Sequence, residues 1–190
     1  MNPSIFLFVS LLKIGIQIQS CQDDDIPLVT SDALEGNWTA VSYTATETYY
    51  FFTGGQVATY GHSVEGFDLD YEVSFQEDTY TCAGSYGLDI WTVDNNGSLS
   101  GNDSLFQNGV LIAGGYLATE NTLEVDSMFF KLTLEPFDTT EAPVEQSIDY
   151  EINATDTELI INRYVVYLKN FDSGAFKRIT SNSTSTWRRL

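Results

Sequence analysis

An all-β fold is predicted for this chain: an antiparallel up-and-down barrel of about eight to ten strands or, failing closure, a sandwich. Three observations predict it. Aromatic residues make up 14% of the sequence, with 12 Phe and 11 Tyr against 4 Pro, and such side chains suit a pleated, half-buried surface. Strand-length runs, several alternating between apolar and polar residues, recur in regular order with short polar or Gly-containing connections between them. No window long enough for a substantial helix shows the 3.6-residue period, and no internal repeat stands out. At 190 residues the chain is long enough for one domain with a full core.

Charge narrows the partners. The chain has 8 Lys and Arg against 27 Asp and Glu, a formal charge of −19, which disfavours phosphate contacts to nucleic acid and adhesion to an anionic membrane face. The acids are dispersed among apolar residues that can be buried, unlike those of a disordered acidic tail.

The elements follow in order. From Ile5 to Ile18 the sequence is apolar apart from Lys13, too short and broken to span a bilayer, and reads as a secretory signal. Residues 1–20 are thus expected as signal peptide, 21–30 as acidic tether and 31–190 as the barrel domain. Thr30-Ser31-Asp32 caps at most a turn or two of helix through Glu35, ended by Gly36. Gly36-Asn37-Trp38 then opens the first extended run: Gly36 permits close backbone approach and Trp38 brings a large flat side chain to close one end. Trp38–Ala45 and Glu47–Phe52 read as strand before the Gly54-Gly55 turn. His62, between Gly61 and Ser63, is placed in a turn. The clearest alternation is Leu69–Phe75, with Leu69, Tyr71, Val73 and Phe75 on one face and Asp70, Glu72 and Ser74 on the other. Thr79–Ala83 pairs with it, and Leu88–Val93 leads into the turn Asp94-Asn95-Asn96-Gly97. Ser98–Asn108, polar and Gly-containing, reads as the longest loop. Strand-like pieces resume at Gly109–Ala113, Thr122–Val125, Phe129–Leu134, Ile148–Ile152, Leu159–Tyr167 and Ala175–Arg188, with a polar loop at Glu135–Glu145.

Two resemblances follow from residues already named. Ile18-Gln19-Ser20-Cys21 resembles the lipobox of bacterial lipoproteins, and Gln22-Asp23-Asp24-Asp25 resembles the acidic run after the lipidated cysteine in surface-exported lipoproteins of the Bacteroidetes type. Gln19 departs from the small residue usual there, and the segment before the apolar run lacks Lys or Arg. The resemblance implies lipidation at Cys21 and an outer-membrane anchor facing the cell surface. With Gly36-Asn37-Trp38 at the first strand and Trp187-Arg188-Arg189 at the last, the chain also resembles lipocalin-like (calycin) lipoproteins. In that group a basic residue of the terminal strand packs on the tryptophan; Arg189, sharing a strand face with Trp187, is the better match. The resemblance implies a small barrel whose lumen holds an apolar or amphipathic molecule, and the chain is expected to bind or carry a small hydrophobic molecule, with no catalysis and no cofactor. The alternative is an interaction module with a side-chain-filled barrel, displaying acidic loops to a protein partner such as an outer-membrane uptake complex.

Catalytic and metal chemistry find little support in the residues. A nucleophilic reading of Cys82 needs a base, and His62 is the only histidine. One histidine and one cysteine beyond Cys21 make no usual zinc set, no EF-hand spacing occurs, and Gly114-Gly115 leads into strand rather than a phosphate-binding helix. Candidate ligand-binding residues are the aromatics expected in the lumen, Tyr43, Phe52, Tyr71, Phe75, Tyr80 and Trp91; their alternative role is plain core, since barrels of about eight strands can be filled by side chains alone.

Overall fold

The chain folds as eight antiparallel strands in one nearly closed barrel, seen in a computed structural model that describes residues 33–94, 96–130, 144–153, 155–170 and 176–190. The strands are β1 (Gly36–Thr53), β2 (Gln56–Gln76), β3 (Thr79–Val93), β4 (Leu99–Ala118), β5 (Leu123–Val125), β6 (Glu145–Ile152), β7 (Glu158–Asn170) and β8 (Phe176–Arg189). Their order in the sheet is β5-β4-β3-β2-β1-β8-β7-β6, a meander whose last strands return beside the first. Between β5 and β6 the wall is joined by a single bridge, Thr122 to Asp149, and by the Tyr150 amide donating to the Asn121 carbonyl at 3.0 Å.

Alternation places the core. On β1 the residues Tyr43, Ala45, Glu47 and Tyr49 are buried, while Thr44, Thr46 and Tyr50 are exposed. On β2 the predicted inward set Leu69, Tyr71, Val73 and Phe75 faces the lumen: the last three are buried, and Leu69 packs against the core. The Asp94–Gly97 turn forms as read, its Asp94 carboxylate accepting the amides of Asn96 and Ser98 at 2.8 and 2.9 Å.

Four sequence expectations change. Trp38–Ala45 and Glu47–Phe52 are parts of one strand. Ser98–Asn108, read as a loop, is instead the first half of β4, paired with β3 from Leu99 onward. Its residues up to Phe106 are exposed, and a strand wet on both faces carries no hydrophobic period. His62 lies within β2 rather than in a turn. Gly61 beside it answers a close approach: a Cβ there would stand 2.6 Å from the Glu47 carbonyl oxygen. Phe129 and Phe130, expected to begin a strand, leave the wall and enter the lumen, where both are buried. The rest of that expected strand, with residues 1–32, lies outside the described residues.

Candidate functional site

The closed end is built by three residues that the sequence singled out. Trp38 is fully buried and its indole donates to the Leu34 carbonyl at 2.9 Å. The Arg189 guanidinium lies 4.3 Å from the centre of the Trp38 ring, a cation over a π face. The same guanidinium donates to the carbonyls of Glu35 at 2.9 Å and Asp156 at 2.8 Å, and to that of Ala33. The entry turn, which runs against strand propensity, thereby has its carbonyls satisfied from the last strand. Gly36, at φ +122°, would place a Cβ 3.2 Å from an Arg189 nitrogen, so its lack of a side chain leaves room for the guanidinium.

Above this end the lumen is filled with rings. Phe130 stacks on Tyr43 at 4.2 Å between centroids and lies 5.1–5.5 Å from Tyr71, Tyr86 and Trp187. Phe129 meets Tyr80 at 5.0 Å and Phe75 at 6.0 Å. The segment carrying both phenylalanines is tied to the wall by hydroxyls: Tyr71 donates to the Phe129 carbonyl and Tyr80 to that of Ser127, each at 2.6 Å. The candidates Tyr43, Tyr71, Phe75 and Tyr80 are therefore packed against one another and this plug. Burial raises the Tyr71 hydroxyl far above the usual range, helped by Cys82 beside it, and pushes Tyr80 up to about 12.

The other two candidates lie elsewhere. Phe52 is half-buried at the β1–β2 hairpin end, on the outward parity shared with exposed Tyr50. Trp91 pairs with Ser63, between the inward positions of Ile90 and Thr92, and so belongs to the outer wall. The sequence run Leu88–Val93 offers apolar residues at both parities, and only the pairing decides which side each takes.

Cys82 is fully buried beside Val73 and Ile112. Burial pushes its thiol up to about 12, the reverse of what a nucleophile needs. His62 pairs with Glu47 and Thr92, eleven residues along β2 from Val73, the residue beside Cys82. That length of strand is about 36 Å, so no Cys–His pair is assembled. Among the described residues no group of three metal-ligating side chains occurs either.

The lumen turns polar towards the other end. Tyr49 donates a short hydrogen bond to the buried Glu47 carboxylate, its ring stacks on Tyr60 at 4.8 Å, and the Lys177 ammonium stands 5.1 Å from the ring centre. Lower down, Arg163 is half-buried with its Nε enclosed and making no hydrogen bond. Tyr43 is raised by burial first and by Glu47 second, with Arg163 and a hydrogen bond with Ser183 acting in the opposite direction. Tyr43, Arg163 and the inward serines Ser181, Ser183 and Ser185 share a cavity of about 30 Å³ with the plug, space on the scale of a water molecule. Arg163 and the serine stripe carry no motif, and only their inward parity on β7 and β8 reveals them.

Larger concavities lie away from the plug. One groove of about 420 Å³ includes Thr44, Glu65, Trp91, Asp149, Asn162 and Asn182 among its lining, with Arg163 of inward parity, and a second of about 530 Å³ lies near the β1–β2 and β3–β4 turns, lined by Glu47, Tyr60 and His62 of inward parity as well as by Thr48, Val57 and Val93.

No family model, curated protein or solved structure matches the chain.

Proposed function

We propose that this protein is a non-catalytic binding scaffold of the cell envelope, held to the outer membrane by lipid at Cys21 and working through its outer wall. The observation that carries the reading is the filled lumen. A plug of Phe129 and Phe130 occupies its centre, and about 30 Å³ of space is left beside it. A drug-sized apolar ligand needs about 300 Å³ or more, more than the space beside the plug offers, which supports a scaffold over the carrier role implied by a lipocalin-like resemblance. The outer groove of about 420 Å³ offers volume that the space beside the plug does not. Exposed apolar side chains such as Phe106 and Leu111 on β4 belong to the same wall. The closed end, with Arg189 on Trp38, supports the likeness to lipocalin-like barrels as architecture. The order of apolar run, Cys21 and acidic run supports export and anchoring.

Calorimetric titration of the protein with a fatty-acid and sterol series tests the scaffold reading: no saturable binding is expected, and stoichiometric binding of any member would overturn it. Fractionation of cells expressing Cys21→Ala tests the anchor. The variant should leave the membrane fraction, and its retention there would contradict lipidation.

A further inference from the structure

We propose that the groove over the middle of β1, β2, β7 and β8 binds a neutral carbohydrate chain, laid across the strands with sugar rings stacked on Trp91 and Tyr164. The proposal rests on the outer-wall reading above and names its ligand. The strand registers put six residues in one continuous row: Trp91 opposite Ser63, Ser63 opposite Thr46, Thr46 opposite Asn182, Asn182 opposite Tyr164, and Tyr164 opposite Ser147. A second row runs alongside, two residues along each strand: Asp89, Glu65, Thr44, Thr184, Asn162 and Asp149. Flanking residues of opposite parity, such as Ala45 and Val64, are buried in the lumen, which fixes both rows on the outer wall.

The two rows have a shape. Trp91 and Tyr164, both half-buried, lie four strands apart, a path of about 19 Å along the curved wall, and the rows are separated by about 7 Å. Between the aromatic ends the positions are held by Ser63, Thr46, Thr44 and Thr184, small side chains, with the longer Glu65 and Asn182 beside them. A chain of a few linked pyranose rings has that length and width.

The chemistry is equally selective. A sugar ring offers a C–H face to an aromatic plane and a rim of hydroxyls that both donate and accept. Asn162 and Asn182 supply both functions, and Glu65, Asp89 and Asp149 accept. Thr184 donates to the Asn162 amide oxygen at 2.8 Å, which orients that amide. Neither row contains Lys or Arg, and Arg163, of inward parity, is the only cation among the described lining residues, so phosphate, sulfate and uronate groups meet chiefly the carboxylates of the rows. An apolar ligand would leave these amides and carboxylates without partners.

The test uses the whole chain in detergent and a panel of neutral gluco-, manno-, galacto- and xylo-oligosaccharides beside sulfated and uronic-acid oligomers. Of the three tryptophans, Trp38 and Trp187 are fully buried, so a change in tryptophan emission reports Trp91. Saturable binding of a neutral oligomer is expected, weakened at least tenfold by Trp91→Ala, by Tyr164→Ala and by Thr46→Arg, which fills the exposed floor without touching the core. The proposal is overturned by preference for acidic oligomers, by neutral binding that survives all three substitutions, or by no saturable neutral binding. The two readings fail differently. Binding of an apolar molecule by the Trp91→Ala variant would overturn the outer-wall reading itself. A protein partner held through Phe106 and Leu111, with no glycan bound, would overturn the carbohydrate assignment alone.

Discussion

Replacing Phe130 by alanine should cost about 4 kcal/mol of folding stability, and the structure shows where that comes from. The side chain is 5% exposed. A buried phenylalanine removes roughly 200 Å² from water, worth about 5 kcal/mol at about 25 cal per Å² before the compactness of the unfolded chain is discounted. The stack on Tyr43 at 4.2 Å and the contacts to Tyr71, Tyr86 and Trp187 add ring–ring terms of about 0.5–1.5 kcal/mol for the best pairs. Partial collapse of the neighbours takes some of this back, and buried Phe→Ala changes cost about 3–5 kcal/mol in general. The void joins the cavity of about 30 Å³ already beside the ring, so the variant should gain a site for a benzene-sized molecule. Urea unfolding followed by circular dichroism, with Phe106→Ala as control, measures the loss. Phe106 is 48% exposed on the outer wall, and its removal should shift stability by no more than about 0.5 kcal/mol. A Phe130→Ala loss under about 1 kcal/mol, or equal losses in the two variants, would refute a ring-filled lumen.

Other perturbations address the closed end, the wall and the buried hydroxyls. Arg189→Ala removes donors to three carbonyls and the cation over Trp38, and should cost about 2 kcal/mol; Arg188→Ala, on the other face, should be near neutral in the same urea assay. Gly84→Ala should destabilise more than Gly54→Ala, because its Cβ would stand 2.1 Å from the Asp70 carbonyl oxygen whereas nothing lies within 4 Å of a Cβ at Gly54. Cys82, raised from an ordinary 9.0 to about 12, and Tyr80, raised from 10.0 to about 12, hold their protons more tightly folded than unfolded. The stability they contribute is fully present below pH 9 and is lost as pH rises from about 9 to 12. Burial shifts Tyr43 and Tyr71 in the same direction. Urea midpoints should therefore fall above pH 9, and a midpoint that rises there would contradict the burial of these groups. The Cys82 thiol should resist a thiol reagent at neutral pH until urea unfolds the chain.

The sequence disclosed what local chemistry encodes. The alternation of Leu69–Phe75 marked the inner face of β2, and Asp94–Gly97 marked its turn, because strand period and turn chemistry are written in adjacent residues. The closing set of Gly36, Trp38 and Arg189 was legible from residue type and chain position. The first half of β4 was hidden because neither of its faces is buried and no alternation is required of it. His62 was misplaced because Gly61 signals a turn as readily as a close strand crossing. Phe129-Phe130 looked like strand because aromatic pairs favour strands, while their entry into the lumen depends on the hydroxyls of Tyr71 and Tyr80, some fifty residues away. Trp91 has the apolar character of a lumen residue, and only its pairing with Ser63 puts it on the outer wall. The outer groove is least legible of all, since its rows exist only once six strands are in register.

The filled lumen is most directly tested by native mass spectrometry of the full-length protein purified gently from its own host, before and after denaturation. The same mass is expected in both states, with any covalent lipid retained in each. A non-covalent apolar molecule that accompanies the folded protein and departs on denaturation would contradict it.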